Sequence, residues 1–435
     1  FPFNKYMNYE NRFCILANSM KIIIKNISKI VQVNRGNQKF VQSKHLDSIN
    51  TIDDGYIEIE GSKIKDFGSM KDWKGIDNWN NTEIIDAEGG CVYPSFCDSH
   101  THLVFSEPRQ NEFVLRIKGH SYEEIAKKGG GILNSAESLA KISEDELYEI
   151  SLQRLNNAVK FGTGAIEIKS GYGLSLRSEM KILRVIKRLK ENTEVKIKST
   201  LLAAHAIPKK FLNKKEDYIK LIIEKIIPAI SDENLADYID VFCEKNYFDI
   251  YDTDKILKCG IKYGLKPKVH VNQFNSLGGI KIAIKNNAIS VDHLEVINDQ
   301  DIEYLKKSNT IATLLPSCSF FLNIPYAKAK KFISNNININ LASDYNPGSS
   351  PSSNMNFVSS LGCIKLNLTP NQVINATTLN GAYAMEISDS FGSIDIGKKA
   401  NFFITKKIPS YDYMQYSFGE NCIKTVILNG KVVKQ

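Results

Sequence analysis

Between residues 91 and 390 the chain alternates short apolar runs with segments of helical periodicity, and that alternation restricts the folds open to it. The candidate strands are Cys91–Cys97, Gly164–Ile168, Val195–Ala203, Tyr238–Cys243, Lys268–Val271, Ile289–Val291, Thr310–Leu314 and Ile339–Ala342. One intervening helix opens at Ser143 with Glu146 three residues on, a capping box in which each side chain satisfies the other's backbone amide. Its apolar residues Tyr148, Leu152, Leu155 and Val159 fall on one helical face. Eight strands separated by helices predict an α/β fold of the (β/α)8 TIM-like barrel type. A doubly wound sheet is the alternative.

The chain ends read differently. Lys21–Ile27 and Tyr56–Phe67 alternate apolar and polar residues around turns at Asp54-Gly55 and Glu60-Gly61. Phe402–Ile404 and Thr425–Lys434 resume that style, with a turn at Asn429-Gly430. Termini often lie close together, so residues 1–90 and 391–435 are expected to form one small β-sandwich domain, with 91–390 the barrel domain.

Composition narrows the class. A chain of 435 residues, 43% hydrophobic and 24% charged, reads as globular. The net charge of +8 is spread among acidic residues, which argues against nucleic-acid binding. No apolar run approaches the roughly 20 residues of a membrane helix. Phe1–Asn11 lacks a basic stretch followed by an apolar core, so no signal peptide is read there. Eight dispersed cysteines without a C-x-x-C pair fit a reducing cytoplasm.

Five of the seven histidines stand at or just beyond the ends of candidate strands. They are His100 and His102 after the first, then His205, His270 and His293, and Asp344 has the same place after the eighth. Strand ends of a barrel converge on one face, so these residues would share a pocket. Imidazole nitrogen and carboxylate oxygen suit zinc or iron. In an extended segment the H-x-H spacing points His100 and His102 the same way. Any single histidine could instead be a hydrogen-bonded wall residue, the reading favoured for His205 and His293. His45 and His120 have unremarkable polar surroundings.

The run Tyr93-Pro-Ser-Phe-Cys-Asp-Ser-His-Thr-His102 resembles the first-strand motif of the amidohydrolase superfamily. The closer resemblance is to its imidazolonepropionase family, the ring-opening hydrolases of histidine degradation. It is carried by His100-Thr-His-Leu-Val-Phe105 with Arg109, Gly129-Gly-Gly-Ile132, Glu167-Ile-Lys-Ser-Gly-Tyr-Gly-Leu174 and Ala204-His-Ala-Ile-Pro208. It continues through Val241-Phe-Cys-Glu244, Ser276-Leu-Gly-Gly279, Asp292-His-Leu294, Thr313-Leu-Leu-Pro316, Ser343-Asp-Tyr-Asn-Pro-Gly-Ser-Ser-Pro351 and Ala376-Thr-Thr-Leu-Asn380.

The resemblance implies one zinc or iron ion on His100, His102, His270 and Asp344. Superfamily members with two metals use a carboxylated lysine at the end of the fourth strand, where this chain has Cys243-Glu244. The implied substrate is 4-imidazolone-5-propanoate, opened to N-formimidoyl-L-glutamate by a metal-activated water. Arg109 matches a substrate contact, and its guanidinium fork suits the propionate. Tyr172 and His205 match further contacts, and Asn346, Gly348 and Ser349 match positions that bind the opened product. Asp344, His293 and Gln273 form the implied catalytic set. Gln273 stands where relatives have Glu or Gln; its amide does not titrate, so it can orient substrate or water but cannot be the base. Any base role then passes to Asp344 or His293. Gly129-Gly130-Gly131 lacks a Gly-Lys-Ser/Thr ending and reads as a flexible segment near the site. The resemblance also implies a homodimer. The competing readings are an aminohydrolase of purines or guanidino compounds and an inactive metal-binding scaffold.

Overall fold

The computed structural model describes residues 21–34, 36, 38–76, 78–120, 124–125 and 130–433. The Phe1–Phe13 start, Cys14 and Gly129 lie outside the described residues.

Eight parallel strands form one sheet in chain order. They are β6 (Phe96–Thr101), β7 (Thr163–Lys169), β8 (Lys196–Ala204), β9 (Tyr238–Cys243), β10 (Lys266–Val271), β11 (Ser290–His293), β12 (Ile311–Leu314) and β13 (Ile339–Leu341). The two edges meet just beyond β13. Asp344 N donates to His100 O at 3.0 Å, and His102 N donates to Tyr345 O at 2.8 Å. Asp98, wholly buried, fastens the same seam by accepting from Ser343 N at 3.0 Å. The sheet is therefore a closed (β/α)8 barrel, and the doubly wound alternative falls away.

The helix Glu144–Lys160 begins with the expected box. Ser143 Oγ accepts from Glu146 N at 3.2 Å, and Glu146 Oε2 accepts from Ser143 N at 3.1 Å. Its buried stripe is Leu147, Ser151, Leu155, Ala158 and Val159, so the inward face lies about one residue away from the expected one. Tyr148 and Leu152 are only half-buried.

A second sheet runs β16-β15-β14-β5-β1-β2-β3. Its strands are β1 (Lys21–Val31), β2 (Thr51–Glu60), β3 (Lys63–Ser69), β5 (Cys91–Pro94), β14 (Phe402–Thr405), β15 (Ile423–Leu428) and β16 (Lys431–Val433), with β4 (Thr82–Asp86) beside β1. The expected strand Cys91–Cys97 is divided at Ser95. Cys91–Pro94 pairs with β1 and β14, and only Phe96 onward enters the barrel. On one side β1 pairs with β4 at its start and β5 at its end, so the sheet changes neighbours and folds over an apolar cluster that includes Ile22, Ile24, Ile57, Ile59 and Phe402. Alternation along β14 joins the two units. Phe402 and Ile404 face this cluster, while Phe403 turns to the barrel core and stacks on Tyr93 with centroids 5.2 Å apart.

Candidate metal centre and active site

The barrel brings together residues that are up to 244 positions apart, from His100 to Asp344. His100 is in β6 and His102 one residue past its end; His270 is in β10, His293 closes β11, and Asp344 follows β13. The ligand atoms of His100, His102 and His270 lie within 4.8 Å of one another, all buried. His102 Nε2 and His270 Nε2 are 3.4 Å apart. Asp344 Oδ1 is 3.5 Å from His100 Nε2 and 3.8 Å from His102 Nε2.

Each ring turns its other nitrogen to an oxygen. His100 Nδ1 is 2.7 Å from Asp292 Oδ2, His102 Nδ1 is 3.3 Å from Ser170 O, and His270 Nδ1 is 2.9 Å from Asp240 Oδ2. For His100 and His102 an acceptor at Nδ1 holds the tautomer that leaves Nε2 free to ligate, whereas His270 Nδ1 makes no hydrogen bond and Asp240 Oδ1 accepts from His270 N at 3.1 Å. Burial, reinforced by Lys169 and neighbouring rings, pushes the pKa of His100, His102 and His270 well below the usual imidazole value. Neutral imidazole is the form that binds metal. Buried His100 Nε2 has no hydrogen-bond partner within the protein. Three neutral nitrogens and one carboxylate converging around such an atom fit a zinc or iron ion.

Under the histidines lies a charged layer. Lys169 Nζ donates to Glu167 Oε1 at 2.7 Å and Asp240 Oδ2 at 2.8 Å, and is 3.5 Å from Asp292 Oδ2. Lys268 Nζ donates to the other oxygen of Glu167. Burial opposes the Lys169 charge, yet Asp240, Glu167 and Asp292 prevail and raise its pKa. Thus one ammonium ties together the two carboxylates that orient His100 and His270. None of these five residues was among the candidates from sequence. Their signal was available: charges at Glu167, Lys169, Asp240, Lys268 and Asp292 inside otherwise apolar strands.

The cleft above is lined by His102, Arg109, Tyr172, His205, Gln273, His293, Asp344, Asn346 and Ser349, among others. His45 and His120 are not part of this lining. Gly348 stands behind Arg109; a Cβ there would lie 1.2 Å from the guanidinium, so only glycine permits this packing. Asn346 is committed to its own loop: Nδ2 donates to Asp344 O at 2.6 Å, and Oδ1 accepts from Gly348 N and Ser349 N, both at 2.8 Å. Gln273 Nε2 is 3.4 Å from Cys318 Sγ. His205 Nδ1 lies 3.1 Å from Gly171 O, and burial lowers its pKa to about 4, so it is a neutral hydrogen-bonding wall. Burial opposes a charge on His293, but Glu295 beside it wins and raises its pKa. Burial raises Asp344 to about 6, against the pull of His293.

Several site positions hold unusual backbone. Leu174, Asn272, His293, Leu294 and Asp344 have φ of +50° to +88° without being glycine. Such conformations cost of order 1–3 kcal/mol each and persist where surrounding structure enforces them. The loop Ser170–Leu174 is enforced by buried Glu179, which accepts from Gly173 N and Leu174 N at 2.8 Å and Gly171 N at 3.3 Å. Glu244 points elsewhere, accepting from Phe274 N at 2.9 Å and Asn275 Nδ2 at 2.9 Å. Gly131 N donates to Glu112 Oε1 at 2.9 Å, and Ile132 after it reaches the cleft.

The sequence matches the pattern of the amidohydrolase family over residues 91–433. It is 51% identical over 414 residues to an imidazolonepropionase of Christiangramia forsetii, covering 95% of this chain and all of that one. An imidazolonepropionase of Alkaliphilus oremlandii is 39% identical, covering 95% and 98%. Among solved structures, E. coli guanine deaminase superposes with a TM-score of 0.73 at 13% identity, covering 95% and 99%, a likeness of fold alone. The chain therefore belongs to the amidohydrolase family, and within it to the imidazolonepropionases.

Proposed function

We propose that this cleft hydrolyses 4-imidazolone-5-propanoate to N-formimidoyl-L-glutamate, a cytoplasmic step of histidine degradation. The observation that carries the reading is the guanidinium of Arg109 in the wall of the same cleft as His102, His270 and Asp344. A cation for a carboxylate tail beside a centre for a carbonyl matches both ends of that substrate. The described cysteines are free, which supports a reducing compartment. Among the described residues no helix is long and apolar enough to cross a membrane.

A single zinc or iron ion held by His100, His102, His270 and Asp344 would supply Lewis-acid activation of water and of the ring carbonyl. The chain's own residues do the rest. Arg109 grips the propionate and Tyr172 and His205 wall the ring, which fixes the carbonyl over the centre; such positioning is worth several kcal/mol. Asp344 takes a proton from the attacking water and returns it to the ring nitrogen as the C–N bond breaks. His293 donates a hydrogen bond to the carbonyl oxygen, where negative charge develops. Gln273 orients substrate or water by hydrogen bonds. Asn346, Gly348 and Ser349 receive the opened product. The working unit in this reading is a homodimer.

Metal-loaded protein supplied with fresh imidazolonepropionate is expected to remove the ring's absorbance. A folded, metal-replete sample without turnover would refute the reading. Asp344→Asn should keep the fold and lower kcat by about 10²–10⁴-fold, the usual worth of a general acid–base group. Native rates in that variant would remove Asp344 from the proton path.

A further inference from the structure

Beside the centre lies a second cluster of donors. His293, Glu295 and Cys318 offer an imidazole nitrogen, a carboxylate oxygen and a sulfur within 4.8 Å of one another, all buried. They come from the end of β11, the loop just after it and helix Pro316–Leu322, so they are side by side only because the barrel sets β11 next to β12. His293 Nδ1 lies 3.4 Å from Glu295 Oε1, and that oxygen also accepts from Ser319 Oγ at 3.3 Å. The other oxygen, Glu295 Oε2, is buried without a hydrogen-bond partner. A buried carboxylate oxygen left unmatched costs free energy that an orienting role for His293 does not require. Cys318 has no exposed surface; Gln273 Nε2 lies 3.4 Å from its sulfur, and Ser349 and Asp344 also hydrogen-bond it.

We propose that His293, Glu295 and Cys318 form a second cation site, distinct from the His100–His102–His270–Asp344 centre, that takes a zinc-class divalent cation. Mixed nitrogen, oxygen and sulfur donors select borderline and soft cations over magnesium or calcium. Metal ligation takes such donors in their deprotonated forms, as a thiolate, a carboxylate and a neutral ring. Two anionic ligands then neutralise the two positive charges, which suits a site closed to solvent. His293 lines the cleft, so the ion has a route in.

The test uses protein already carrying one equivalent of metal and titrates it with Cd²⁺. Bound stoichiometry and sulfur-to-cadmium charge-transfer absorption are followed together. The native chain should take a second equivalent as the thiolate band grows. Cys318→Ala should keep the first equivalent and lose both the second and the band. Glu295→Gln should weaken the second by about tenfold or more, since even outer-shell carboxylates cost a metal site that much. Saturation at one equivalent with no band, or a band that survives Cys318→Ala, overturns the proposal. The first site has no sulfur, so failure of the catalytic reading and failure of this one give different signals.

Discussion

The barrel interior beneath the histidines and the cluster under the terminal sheet are both closed to water, yet they are filled in opposite ways. In the terminal sheet, Ile22, Ile24, Ile57, Ile59 and Phe402 pack against one another, and burial of each such side chain stabilises by about 1.5–3 kcal/mol. In the barrel, Glu167, Lys169, Asp240, Lys268 and Asp292 are buried within 3.5 Å of a partner of opposite type. Well-packed hydrophobic residues would usually serve stability as well or better than such a network. What the charged layer adds is orientation, because Asp240 and Asp292 are also the acceptors for His270 and His100. One core holds the fold and the other orients the buried histidines.

The most damaging test of that contrast is Lys169→Met. It leaves three carboxylates with one ammonium in a dry space, and breaking a buried pair this way costs about 3–5 kcal/mol. Urea denaturation should show that loss. Asp292→Asn keeps the shape while weakening the acceptor for His100, and should lower metal affinity about 10–100-fold in chelator competition. Native affinity in Asp292→Asn would mean that the layer does not aim the ligands.

Ile57→Ala probes the other core. Ile57 is wholly buried in the terminal sheet, and such truncations cost about 2–5 kcal/mol. Metal affinity of the folded fraction should stay native. A drop in affinity matching the drop in stability would erase the distinction between the two cores.

The same contrast explains what could be read from sequence. Barrel strands were visible because two faces of a parallel strand are buried, so each becomes an apolar run. The candidate ligands were visible because His100, His270 and Asp344 sit where such runs stop. The break at Ser95 was marked only by Pro94-Ser95 inside an otherwise apolar run, and pairing is what assigns its halves to different sheets. Glu167 and Lys169 carried a signal that local pattern misdirects. A charge inside a strand reads locally as an outward-facing residue, and only closure of the barrel turns it inward to meet Asp240 and Asp292 from strands much later in the chain. The side-chain bonds by which Asn346 shapes its own turn, to Asp344 O and Gly348 N, were likewise beyond local pattern.

Glu179→Gln carries the smallest expected effect and separates aiming from folding most finely. Glu179 is on the helix Leu176–Asn192, away from the cleft, yet it holds the loop whose carbonyls Ser170 O and Gly171 O meet His102 and His205. A glutamine keeps the size and one accepting oxygen, but its NH₂ would face a backbone N–H that now has an acceptor, for about 1–3 kcal/mol. The loop also carries Tyr172 into the cleft, so substrate binding should suffer more than metal binding. KM should rise, with metal affinity falling less than in Asp292→Asn. If stability drops and KM does not move, Glu179 belongs with Ile57 as a support of the fold, and the aiming role ends at the charged layer.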